Sequence, residues 1–190
     1  LQAEITSMET SAVYNRNTVE FVTVATEFCA YLEQLEGKRR DKVVDVLSKL
    51  LPLLYIKAAM LSNADPLGLY LEETVTEQTY DSIRMSVQNI LGENDDYLEV
   101  FVEDMKYSDT PVRRCISEDL ADIYQPLRNF VDSYRSGLEE VMAESVAVCA
   151  AHFRAYWGQT LTNTLRAVHS IRYSENLYSD YSSSDSGYYD

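Results

Sequence analysis

Apolar side chains recur along this chain at steps of three and four, the spacing of helices that bury one face. Phe21, Ala25, Phe28, Leu32 and Leu35 form the first such stripe, which predicts a helix from 14 or 17 to 36, with Asn17 as N-cap and Gly37 as its stop. Residues 41–61 are apolar on nearly every side, through Val43, Val44, Leu47, Leu50, Leu51, Leu53, Leu54, Ile56 and Met60. A helix with no polar face belongs inside a bundle, so this one is expected to be enclosed, bent where Pro52 removes a donor. Thr74 and Glu77 form a capping box ahead of a helix over 75–91, with Tyr80, Ile83, Val87 and Ile90 inward and Gly92 as its stop. Ser117 is a good N-cap for a helix over 118–135 that buries Leu120, Ile123 or Tyr124, Leu127, Val131 and Tyr134, with Pro126 inside. A long last helix follows over 138–171, with bending expected at Gly158. Residues 93–111 are the least regular internal stretch, suggesting one docked apolar turn at Tyr97, Leu98, Val100 and Phe101, and no strand-like alternation of any extent is visible. The pattern predicts an all-α, single-domain bundle of five to six helices.

Composition narrows this picture. The 190 residues suit one domain able to bury its own core, and six Gly with four Pro favour long helices over many turns. The helical body is expected over 1–172, its first dozen residues frayed for want of a stripe. Residues 173–190 form a separate tail of five Tyr, six Ser and four acids without a base, a mixture that builds no core. A net charge of −15 repels phosphate backbones and anionic lipid, which argues against nucleic acid and membrane surfaces and leaves proteins and cations as partners. Cys29, Cys115 and Cys149 are odd in number and widely spaced, the usage of reduced thiols in a cytoplasmic compartment. Neither an apolar leader nor eighteen consecutive apolar residues occur.

Candidate chemistry is sparse. There is no G-x-S-x-G, phosphate-binding loop, G-x-G-x-x-G or H-E-x-x-H, and no cofactor or metal is implied. Asp119 and Asp122 share one side of their helix, as Arg166 and His169 do of theirs. If those helices pack antiparallel, the four side chains could meet as a buried ion-pair network, as a ligand or metal pocket, or stay in solvent. Cys149 and His152 are also three apart, the spacing of a nucleophile and its base, but equally of a core thiol beside a tucked imidazole. Fifteen tyrosines suit a bundle rim or an interaction surface.

Several blocks then carry a family resemblance: residues 95–101, DDYLEVF; residues 117–124, SEDLADIY; Trp157-Gly158; and Leu165-Arg166-Ala167-Val168-His169. In that order, with EFVTVATEFCAYLE and LLPLLYIKA earlier, they resemble the bacterial domain of unknown function 5063 over about 15–172. The resemblance implies an intracellular bacterial all-helical protein and no activity. It leads one to expect His directly before Trp-Gly, where this chain has Tyr156. Asp119, Asp122, Tyr124, Trp157, Arg166 and His169 match the pattern and are the candidate ligand-binding residues of a small-ligand or metal-dependent enzyme. The leading expectation is instead a non-enzymatic protein-interaction or regulatory module with an unidentified protein partner. A homo-oligomer is compatible with the sequence but not readable from it.

Overall fold

The computed structural model describes residues 13–99 and 112–174. Helices α1 (Arg16–Glu33), α2 (Arg40–Ala59), α3 (Glu77–Leu91), α4 (Ile116–Tyr134), α5 (Glu139–His152) and α6 (Gly158–Arg172) build an all-α domain around one hydrophobic core. The expected frayed start, the Val100 and Phe101 half of the apolar turn and residues 175–190 of the tail lie outside the described residues. No helix among the described residues is long and apolar enough to cross a membrane.

The helix starts are set by side chains that occupy orphan backbone donors. Asn15 rather than Asn17 caps α1, its Oδ1 accepting from Thr18 N at 3.0 Å. Thr76 caps α3 by accepting from Thr79 N, two residues beyond the predicted Thr74. Helix α4 begins one residue before Ser117. The cap is supplied from a distance, because the buried Asp95 carboxylate accepts Ser117 N at 2.8 Å and the Ser117 hydroxyl at 2.6 Å.

Two expectations change at the level of elements. Residues Asp96–Glu99 and Val112–Cys115 are strands, β1 and β2, paired antiparallel with Tyr97 opposite Arg114. Four residues per strand are too few for alternation to stand out from the chain. The centre also differs. Helix α4 packs against α1, α3, α5 and α6, and ten of its 19 residues are buried. Helix α2 packs on α1 and α6 and buries six of its 20, including Leu47, Leu51 and Leu54 as expected. Its outer flank is in water: Leu53 is 43% exposed, Ile56 55% and Met60 47%. Apolar content all round a helix therefore does not by itself make it central; α4 holds the middle with its few inward polar groups satisfied.

The predicted long last helix runs on from α5 to α6 through one π turn, Phe153–Trp157, ending at the residue before Gly158. A Cβ at 158 would lie 2.6 Å from the Phe153 carbonyl oxygen and 2.8 Å from its ring. Glycine is what lets the widened turn close.

Candidate functional site

The six residues singled out from the sequence find separate partners. Asp119, fully buried at the start of α4, accepts from Arg114 Nη2 at 2.6 Å and from the Tyr97 hydroxyl, with the Thr164 hydroxyl 3.2 Å away. Burial pushes its carboxyl above the usual range while those three donors pull it back. Because Tyr97 and Arg114 face each other across β1 and β2, Asp119 pins the ribbon to α4. Asp122 accepts from the Tyr80 hydroxyl on α3 at 2.7 Å, and the Tyr124 hydroxyl donates to Glu33 on α1 at 2.8 Å. Buried Trp157 directs its indole N–H to the Cys149 carbonyl at 3.4 Å. Arg166 donates to Leu98 O at 2.7 Å, and His169 lies against the Tyr173 ring; both are exposed.

Of the three arrangements open for Asp119, Asp122, Arg166 and His169, the four-membered union is not the one seen among the described residues, where Asp119, Asp122 and Arg166 each bond elsewhere. Helices α4 and α6 are in contact, but the inward face of α6 is Leu161, Thr164, Ala167 and Val168. At about 100° per residue, Arg166 and His169 then point elsewhere. Among the described residues no group of three or more His, Cys, Asp or Glu side chains could hold a metal ion.

A cleft forms at the other end of α4. The segment 62–76 between α2 and α3 has no helix of its own and is tied down at two places. Glu144, 1% exposed on α5, accepts from the backbone N–H groups of Leu67, Gly68 and Leu69 at 2.6, 2.8 and 3.1 Å. Gly68, at φ +83°, supplies the left-handed step that turns three successive donors onto one carboxylate. Farther on, Asn129 Oδ1 on α4 accepts from Thr74 N at 2.9 Å and Val75 N at 3.0 Å, while the Thr74 hydroxyl reaches Asp132 at 2.7 Å. Between these anchors Leu71, Glu72 and Glu73 form a strap over a cavity of about 250 Å³.

The walls of that cavity come from α4 and α5. Gln125, Pro126, Phe130 and Ser133 line one side, and Ser145, Val148, Cys149 and His152 the other, with Tyr156 from the π turn at one end. Both walls carry a departure from regular helix here. Pro126 has no N–H for the carbonyl of Asp122, and the π turn places Tyr156 in the lining. Such π turns recur at functional sites. Tyr156 is the position where the resemblance leads one to expect histidine, so that departure falls in the cleft wall. Cys149 and His152 do line one opening, as their spacing allowed. Burial nevertheless pushes the Cys149 thiol well up, which keeps it protonated and a poor nucleophile. His152 is exposed and lies ring to ring with Tyr156, centroids 5.6 Å apart.

Sequence reasoning missed the strap and its anchors. One signal was available: Glu144 is the only charged residue in the run Val141 to Ala151, where a lone carboxylate must find buried donors. Asn129, Glu72 and Glu73 carried no comparable mark.

The comparisons agree with this architecture. The crystal structure of protein BF1032 from Bacteroides fragilis, a structural-genomics target, superposes with a TM-score of 0.77 at 44% identity, covering 86% of this chain and 96% of that one. No curated protein matches this chain. The model of the family described as domain of unknown function 5063 matches residues 12–174. With all the described residues inside that match, the chain belongs to the domain of unknown function 5063 family.

Proposed function

We propose that this chain is a non-enzymatic regulatory module that binds a small molecule in the strapped cleft between α4 and α5. The observation that carries this reading is the strap itself, held at both ends by side chains of the two walls it spans. Concave, partly apolar openings with a few polar groups are where ligands bind, and about 250 Å³ lies just below the usual range of about 300–1,000 Å³. Within the lining, Cys149 offers no nucleophile to a ligand, because burial pushes its thiol up. The test is a fragment screen by NMR on the full chain with Val148→Trp as counter-screen. Val148 is half-buried in the lining, so tryptophan there fills the opening. Expected are fragments that shift amides of both walls in the wild type and lose binding at least about tenfold in a variant that keeps its melting temperature. Equal binding to Val148→Trp, or no fragment shifting the walls, contradicts the reading.

A second reading, the docking of a protein, is favoured by the outer flank of α2. Leu53, Ile56 and Met60 are exposed at helical spacing, and Lys42 and Lys49 are exposed on the same flank. That surface suits a segment with apolar anchors and carboxylates, as in helix-in-groove recognition. Peptides selected from a random displayed library against the full chain should be apolar at such spacing and acidic, and should lose binding to Ile56→Glu. Selected peptides that bind Ile56→Glu equally well contradict it.

A further inference from the structure

We propose that the ligand of the strapped cleft is a small organic cation, a protonated amine on an aromatic or branched apolar body. This rests on the cleft being the binding site and adds the chemical class of what it takes.

The polar lining includes Gln125, Asn129, Ser133, Ser145, His152 and Tyr156, which can donate as well as accept, so the asymmetry lies in fixed charge. Glu72 and Glu73 bring two carboxylates to the strap, and no lysine or arginine lines the cavity. A carboxylate only accepts hydrogen bonds, while an ammonium group only donates them. Asn129 commits its Oδ1 to Thr74 and Val75, so the acceptor it would otherwise offer a ligand is already used.

The apolar part of the lining fits the body of such a molecule. Phe130 and Tyr156 place rings in the wall, with Leu71, Pro126 and Val148 between them. Aromatic faces attract cations through their quadrupole, and the attraction grows as water is excluded. About 250 Å³ admits a single ring with a short amine arm. The field of a chain at −15 draws cations toward such an opening and repels anions of the same shape. An uncharged isostere would gain the apolar contacts alone.

The experiment is an NMR titration of the full chain at pH 7 with three molecules of one shape: phenethylamine, phenylacetate and 2-phenylethanol. The amine is expected to shift amides over 71–73, 125–133 and 145–156 and to bind about fivefold or more tighter than either isostere. The exposed double substitution Glu72→Gln with Glu73→Gln should weaken the amine about threefold to tenfold and leave 2-phenylethanol unchanged. If the acid or the alcohol binds in the cleft as tightly as the amine, or the double variant binds the amine unchanged, the cation assignment falls while the cleft stands. If none of the three shifts the cleft, both fall.

Discussion

Gly158 shows how one missing Cβ shapes the cleft. The π turn before it brings the Phe153 carbonyl and ring to within contact of residue 158, and Phe153 packs on Trp157 with centroids 4.7 Å apart. Adding a methyl group there forces the turn open, because the Phe153 carbonyl is backbone and cannot swing aside. Overpacking of this kind costs about 1–3 kcal/mol. Gly158→Ala should therefore lower the melting temperature, by about 2–4 °C per kcal/mol for a chain of this size, and shift the amide of Tyr156. An unchanged melt with an unchanged Tyr156 signal would contradict the tight approach. The same residue illustrates what the sequence permits one to see: a glycine inside a long helical stripe predicts a bend at that place, but not that the preceding turn is π.

Among elements, the strap depends most on a single side chain. Glu144 accepts three backbone N–H groups away from water, an arrangement that hydrogen bonds to a charged acceptor make strong. Glutamine keeps the size but replaces one acceptor oxygen with a donor, setting N–H against N–H. Glu144→Gln should cost about 1.5–3 kcal/mol locally, read as a tenfold to hundredfold faster hydrogen exchange at Leu67, Gly68 and Leu69 with Val87 and Leu120 unchanged. Uniform acceleration across the core would mean instead that Glu144 supports the whole fold. Helices α1, α3, α4 and the α5–α6 rod were legible because their stripes repeat over several turns. The β1–β2 ribbon was not, because four residues give two turns of a period-two pattern, and its anchor Asp119 lies on another element. The caps of α1 and α3 were legible in kind, their N-caps misplaced by two residues and the stop of α1 falling at Gln34 rather than Gly37, since Asn15, Asn17, Thr74 and Thr76 are all suitable cap residues and only packing chooses between them.

For the whole molecule, the informative error concerns α2. Its sequence is the most apolar of the chain, yet α4 takes the centre, because centrality depends on how many neighbours a helix can serve, and α4 meets four of them. The surplus apolar residues of α2, Leu53, Ile56 and Met60, stay on the surface. Likewise Asp119, whose sequence spacing left burial and solvent exposure both open, is buried, and its partners are Tyr97, Arg114 and Thr164 rather than Arg166 and His169. Pairing between helices can be guessed from faces; pairing with a short ribbon cannot. The cleft lies at the remaining end of α4, roofed by a segment that looked like an ordinary loop. The most direct measurement of its role is hydrogen exchange of the full chain with and without saturating phenethylamine. Slower exchange over 67–75, together with the α4 and α5 walls, is the predicted result; an unchanged strap with protection elsewhere, or none anywhere, contradicts it.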